Sequence, residues 1–309
     1  MKQPPVSFRG VIPAVASPCD ANDNFDEESF SRLAAALWDE EIQGLYVCGL
    51  TGDGYHMTFE ERKKAVEIAV KRSEKKGGIM AHVGTQDTRM SCKLAAHAAE
   101  AGANGVAAIP PIGRSFPEIE SYYRELARAA GGLPVFIYHI PVYTKWEATF
   151  EQLERLSEIA GVSGIKFTDY NLMLMRRLAG MRPGFSVLYG RDEQFAAALA
   201  LGSHGGVGST FNVFPRAYAA MQQAVGESRL DEAFRIQGIV TDAIILMDRF
   251  GVVACIEELL ARAGLIQFMR RQPCCHLSKP EADEMWGLLK PILSNLPSDA
   301  KTNFLKTLS

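Results

Sequence analysis

Up to about residue 226, hydrophobic positions in this chain alternate between two textures. Short, mainly apolar runs of four to seven residues fall at 10–16, 44–47, 79–83, 106–109, 135–138, 162–166, 186–189 and 205–208. Runs this short, largely apolar and punctuated by glycine, predict parallel strands covered on both faces. Between them lie longer amphipathic stretches with helix signals. Thr58-Phe59-Glu60-Glu61 is a capping box ahead of Ala65, Val66, Ile68 and Ala69. Asp87 or Thr88 opens a helix running from Met90 to Ala101, with Gly102 as its C-cap. Eight strand–helix alternations predict an α/β fold, a (β/α)8 TIM barrel. An open doubly wound sheet is disfavoured, because no Gly-x-Gly-x-x-Gly turn follows the first run. Beyond residue 226 helical patterns continue at 230–249, 252–263 and 281–293 with no strand between them. The expected organisation is therefore a barrel over 1–226 that carries the active site. A C-terminal helical extension over 227–309 follows, and its surplus apolar residues suit an interface.

Composition narrows the class. The 309 residues, 47% hydrophobic, are enough for one large barrel, and a net charge of −3 without a basic run argues against a nucleic-acid partner. No apolar run reaches membrane-spanning length. Met1-Lys2-Gln3-Pro4-Pro5 lacks the apolar core of a signal peptide, so a cytoplasmic location is expected. The six cysteines show no framework spacing; adjacent Cys274 and Cys275 read as reduced thiols, with a redox-active pair as the alternative.

Active sites of such barrels form at the C-terminal ends of the strands. There the chain places Gly49-Leu50-Thr51-Gly52-Asp53-Gly54, Tyr138-His139-Ile140-Pro141, Lys166-Phe167-Thr168-Asp169, Gly190-Arg191-Asp192-Glu193 and Gly208-Ser209-Thr210. A lysine emerging from an apolar strand loses hydration, which lowers its pKa and frees the amine to attack a carbonyl. Lys166 is that lysine, with the 2-oxo group of an acid as target; the alternative is an ordinary surface lysine at a strand end. The Tyr138 phenol is one strand away and suited to proton transfer, or else a core tyrosine with a polar tip. Thr51 and the amides of the glycine-rich turn can hold a carboxylate. Thr168, Asp192, Glu193 and Ser209 can bind a hydroxylated tail, although Asp192 and Glu193 also suit a helix start.

Two further features compete for function. His56, His82, His139 and His204 lie near strand ends, but no His-Glu-x-x-His occurs and the lysine is better placed than a metal centre. Gly205-Gly206-Val207-Gly208-Ser209 reads either as a phosphate site or, without basic neighbours other than His204, as tight strand packing.

Taken in order, Gly49-Leu50-Thr51-Gly52-Asp53, then Tyr138-His139-Ile140-Pro141, then Gly164-Ile165-Lys166 resemble a family pattern. It is the Gly-x-Thr-Gly-Glu, Tyr-x-x-Pro, Gly-x-Lys series of the pyruvate-dependent class I aldolases, the dihydrodipicolinate synthase and N-acetylneuraminate lyase family. The resemblance covers roughly residues 8 to 226 and, more loosely, the helical tail. It implies that Lys166 forms the Schiff base and that Tyr138 transfers protons. It implies a homotetramer that uses a covalent lysine imine with substrate and needs no cofactor or metal. The lyase branch is the nearer match. Gly190-Arg191-Asp192-Glu193 and Lys166-Phe167-Thr168 resemble lyases acting on sialic acid, in which Thr168, Gly190, Asp192, Glu193 and Ser209 would hold the polyol chain. The partners implied are a small 2-oxo acid and an aldehyde such as N-acetylmannosamine.

Three positions depart from that pattern. Leu50 stands where a Ser or Thr is usual, Asp53 where a glutamate is usual, and Pro110-Pro111-Ile112-Gly113-Arg114 lacks the tyrosine commonly lent across a subunit interface. Either Tyr138 works with water and substrate groups, or Arg114 and Tyr143 reshape the site. A 2-oxo-acid dehydratase or deaminase using the same imine, a synthase-like enzyme, and a catalytically silent small-acid-binding barrel remain the alternatives to a lyase.

Overall fold

A computed structural model describes residues 8–74 and 76–305. The N-terminal stretch read for a leader lies outside the described residues. Eight parallel strands are β1 (Gly10–Pro13), β2 (Gly44–Val47), β3 (Gly78–His82), β4 (Gly105–Ala108), β5 (Val135–His139), β6 (Val162–Phe167), β7 (Ser186–Tyr189) and β8 (Gly205–Gly208). They are ordered β1-β8-β7-β6-β5-β4-β3-β2. An Ala14–Tyr46 bridge and the Val15 N–H to Tyr46 C=O bond at 3.0 Å close β1 onto β2. The sheet is therefore the expected (β/α)8 barrel. The first strand is shorter than the apolar run 10–16. Its continuation leaves the wall where the Ala16 N–H turns to the Asn212 side chain (3.2 Å) and Asn212 Nδ2 donates to the Ala14 carbonyl (2.7 Å).

The principal helices between strands are α1 (Glu27–Trp38), α2 (Phe59–Ser73), α3 (Thr88–Glu100) and α4 (Phe116–Ala129). They continue with α5 (Pro141–Thr144), α6 (Phe150–Ser157), α7 (Leu172–Ala179) and α8 (Phe195–Ala200). Both sequence-read helix starts hold. Thr58 and Glu61 exchange reciprocal bonds at the start of α2, Asp87 accepts from the Arg89 N–H at α3, and Gly102 (φ +88°) follows its end.

The alternation of strand side chains makes two cores. Ile165 and Phe167 point outward under the helices, whereas Ile12, Tyr46, Met80, Phe136, Leu188 and Val207 fill the barrel interior. Gly164 faces inward one layer below Lys166. A Cβ there would lie 2.3 Å from the Phe136 ring and 2.5 Å from the Ser186 carbonyl. The missing side chain lets Phe136 fill the layer on which the lysine stands.

Four more helices follow β8: α9 (Pro215–Gly226), α10 (Leu230–Asp248), α11 (Val252–Arg262) and α12 (Lys279–Ser294). The long α10 packs against α9, α8 and the turn at Asp192. Buried Gln237 accepts from the Ala196 N–H at 2.8 Å and donates to the Asp192 carbonyl at 3.1 Å. The extension is thus bonded to the upper rim of the barrel. Among the described residues, no helix is long and apolar enough to cross a membrane.

Candidate active site

Lys166 lies one residue inside the end of β6, in register with Tyr138 on β5 and Leu188 on β7. Its inward direction follows from the period of two that sends Ile165 and Phe167 outward. The side chain is only 4% exposed. The Lys166 Nζ stands 4.1 Å from the centroid of the Tyr138 ring and 4.4 Å from that of Tyr46. Burial lowers the pKa of this amine from 10.5 to about 7, with the Asp192 carboxylate pulling weakly upward. Near neutrality a large share of it is therefore the free base. Burial pushes the Tyr138 phenol the other way, above its ordinary value, and the Thr168 hydroxyl acts against that shift. The phenol stays protonated at neutral pH, as a proton donor must.

Above this pair opens a cavity of 590 Å³, large enough for a small metabolite rather than for pyruvate alone. Of the residues singled out in the sequence, Thr51, Tyr138, Lys166, Thr168, Gly190, Asp192, Glu193 and Ser209 all line it. Thr51 Oγ1 and Ser209 Oγ are 2.6 Å apart, so two hydroxyls 158 positions apart in the chain form one polar corner. Asp192 is anchored by the Thr210 N–H (2.8 Å) and hydroxyl (2.7 Å), and the Tyr218 hydroxyl stands 2.6 Å from that of Thr210. Burial pushes the Asp192 carboxyl up to about 6; the Thr210 bonds and the Lys166 charge resist it.

Two glycines make room for these groups. A Cβ on Gly190 would fall 2.0 Å from the Thr168 hydroxyl, and one on Gly208 would fall 2.4 Å from Asp192 Oδ1. The last-strand glycines are likewise a matter of packing rather than of a phosphate site: a Cβ on Gly205 would sit 2.2 Å from the Gly10 backbone.

Gly52 and Asp53, expected beside Thr51 at the substrate, lie outside the lining of this cavity. A Cβ on Gly52 would press within 2.6 Å of the Val15 carbonyl, so this residue serves a close turn. Asp53 accepts from the Arg271 N–H at 3.2 Å and meets His56 at 2.6 Å. Arg271 also bonds Glu61 at 3.2 Å. The carboxylate therefore pins the glycine-rich turn to the segment between α11 and α12. Neither proposed substitute for the departures reaches the cavity lining. Arg114 pairs with Glu118, and Tyr143 stacks on Tyr55 with ring centroids 5.9 Å apart.

The histidines serve separate purposes. His82 Nδ1 lies 3.1 Å from the Cys48 carbonyl, while the Ile109 N–H donates to Nε2 at 3.3 Å. His204 accepts from the Val187 N–H at 3.1 Å, and His139 lies 3.5 Å from Asp169. Among the described residues, no three His, Cys, Asp or Glu side chains are grouped to hold a metal ion.

Sequence reading missed the outer wall. The Arg191 guanidinium lies 4.1 Å over the Tyr170 ring, and the Tyr170 hydroxyl donates to Glu193 at 2.8 Å. Thr241, Ile245 and Asp248 of α10 complete the mouth. Tyr170 and Arg191 were within reach of inspection, being close to Lys166 and Asp192 in the chain. The α10 residues carried no signal, since only packing brings them to the strand ends.

The comparisons agree with this geometry. The model of the dihydrodipicolinate synthetase family matches residues 7–292. N-acetylneuraminate lyase of Enterobacter sp. (strain 638) is 31% identical over 93% of this chain and 97% of its own length. The lyase of the same name from Salmonella typhimurium is 32% identical over 91% and 94%. Among solved structures, CdNal of Clostridium difficile in complex with mannosamine superposes with a TM-score of 0.86 at 27% identity, covering 92% of this chain and 98% of that one. Dihydrodipicolinate synthase of Aquifex aeolicus gives 0.86 at 26%, covering 94% and 99%. With a family match that spans nearly the whole chain and curated relatives more than 30% identical over most of it, this protein belongs to the dihydrodipicolinate synthetase family.

Proposed function

We propose that this protein is a Schiff-base-forming class I aldolase that cleaves or forms a carbon–carbon bond between pyruvate and an aldehyde, in the manner of an N-acetylneuraminate lyase. The observation that carries the reading is a buried amine of pKa about 7 in register with a protonated phenol on the floor of a 590 Å³ cavity. In the cleavage direction the Lys166 amine attacks C2 of a 2-oxo acid, and Tyr138 supplies the proton that turns the carbinolamine hydroxyl into departing water. Loss of the C4 hydroxyl proton, which Tyr138 relays, breaks the C3–C4 bond. Its electron pair moves into the protonated imine to give an enamine, and the aldehyde departs. Protonation at C3 and hydrolysis then release pyruvate and restore the amine.

The Thr51–Ser209 corner is assigned to the substrate carboxylate. Thr168, Gly190, Asp192 and Glu193 are assigned to the hydroxylated tail. Leu50 contributes no hydroxyl, so on this reading Tyr138 exchanges protons with water and substrate. The reaction needs no metal or organic cofactor, because the lysine imine is the electron sink. The extension, 227–309, belongs functionally with the barrel, 1–226, since Thr241 and Asp248 sit at the mouth. Exposed Leu230, Phe234 and Ile245 on α10 suit a subunit interface such as that of a homotetramer, and a cytoplasmic location is part of the same reading.

Borohydride reduction in the presence of pyruvate, followed by peptide mass spectrometry, tests the proposal. The expected result is one pyruvate-derived adduct on Lys166 and none in Lys166→Ala. An adduct on Lys166→Ala, or none on the folded wild-type chain, would overturn it. Incubation with N-acetylneuraminate should then yield pyruvate and N-acetylmannosamine in equal amounts.

A further inference from the structure

Away from the barrel mouth, the segment between α11 and α12 brings a thiol, an imidazole and a carboxylate into one line. Cys274 Sγ lies 3.0 Å from His276 Nε2, and His276 Nδ1 makes a short bond to Glu257 Oε1. Glu257 projects from α11 and is only 5% exposed; its other oxygen accepts from the Met269 N–H at 2.7 Å. The Phe268 ring packs on the imidazole with centroids 5.3 Å apart. A carboxylate at Nδ1 holds the proton on that nitrogen, which leaves the Nε2 lone pair to receive the thiol proton. These are the mutual relations of an activated nucleophile: nucleophile to base, and base to a fixed orienting acid.

We propose that Cys274 is a second reactive centre of this chain, a nucleophilic thiol that takes soft carbon electrophiles such as α,β-unsaturated carbonyl compounds, with His276 as its base and Glu257 as the positioning residue. Sulfur adds to the β-carbon, and the C=C electron pair moves toward the carbonyl. The thiol proton passes to His276 Nε2 and from there to the α-carbon. One S–C and one C–H bond form, one S–H and one C=C π bond are lost, and nothing is oxidised or reduced.

The surroundings decide how the thiol is used. Burial raises its pKa; the Arg270 charge opposes this, while Glu257, Asp23 and Cys275 add to it. The resting group is therefore a hydrogen-bonded S–H rather than a preformed thiolate, and reaction depends on proton removal by His276. The Gln272 amide, 3.6 Å from the sulfur, is placed to support the charge that develops there. Cys275 is an internal control. It is exposed where Cys274 is half-buried, so accessibility alone makes it the faster of the two.

The test uses substoichiometric N-ethylmaleimide on the full chain, with adducts assigned by fragmentation mass spectrometry in the Cys274→Ala, Cys275→Ala and Cys275→Ala/His276→Gln proteins. Cys274 is expected to react at least tenfold faster than Cys275, and His276→Gln to slow Cys274 at least tenfold while circular dichroism stays unchanged. Should His276→Gln disturb the fold, Glu257→Gln, which keeps the shape and removes the charge, is expected to give at least a threefold loss. Equal or faster reaction at Cys275, or a Cys274 rate indifferent to both substitutions in folded protein, would overturn the proposal.

Discussion

Lys166→Met isolates the energetic burden of keeping an amine on the barrel floor. A folded-state pKa of about 7 against 10.5 corresponds to about 5 kcal/mol at 1.36 kcal/mol per unit. Between these values the unfolded chain binds a proton that the folded chain has released. Through this group, folded-state stability therefore rises with pH from 7 to 10.5, and below pH 7 the full burden stands. At pH 7 itself, with half the folded amines protonated, about 4 kcal/mol of burden remains. Methionine keeps the length without the charge, and the shifted lysine pKa already includes the attraction of Asp192. The variant is thus expected to exceed the wild type by about 4 kcal/mol at pH 7, with the difference fading toward pH 10.5. Urea denaturation of both proteins at pH 7, 8.5 and 10 measures it. Asp192 acts in a lower window. Its carboxyl, raised from 3.8 to about 6, contributes stability that is complete below 3.8 and lost as pH climbs through 6. The kinetic counterpart is pyruvate-dependent borohydride trapping, whose rate should rise through a midpoint near 7. At that pH half of the amine is free, against about one part in 3,000 for an ordinary lysine. Parallel stability curves for wild type and variant between pH 7 and 10, or a trapping midpoint near 10.5, would refute the reasoning.

Three other outcomes follow from the same geometry. Tyr138→Phe should retain pyruvate trapping at Lys166 while kcat falls about 10²-fold or more; an unchanged kcat would remove the phenol from proton transfer. Asp192→Asn deletes the carboxylate that holds the lysine pKa up, so the trapping midpoint should move to lower pH, and a rise would contradict the assigned charge interaction. Gly190→Ala places a methyl group 2.0 Å from the Thr168 hydroxyl and should cost about 1–3 kcal/mol in urea denaturation together with a raised KM. Full stability and KM in that variant would mean that Thr168 moves freely out of the way.

The eight apolar runs and the changed texture after residue 226 were enough to specify the barrel and its helical tail, because the periods of two and of 3.6 are local properties of a chain. The lysine was legible for a related reason. Val162-Ser163-Gly164-Ile165 fixes the strand, the alternation fixes the direction of Lys166, and burial of an amine has a known electrostatic consequence. Tyr138, Thr168, Gly190, Asp192, Glu193 and Ser209 followed from where the strands end. Asp53 shows where this reasoning stops. Its neighbours in sequence suggest an anion-binding turn, yet its partner is Arg271, 218 positions later, and no local pattern announces that bond. The same holds for Thr241 and Asp248, which reach the mouth because Gln237 ties α10 to the turn at Asp192. The line of Glu257, His276 and Cys274 likewise depends on α11 lying beside the segment that precedes α12. Sequence by itself determined the strands, the side-chain directions and the chemical character of the groups at their ends. Only the tertiary structure decided which distant groups meet, because that depends on helix packing and on long-range hydrogen bonds rather than on any period along the chain.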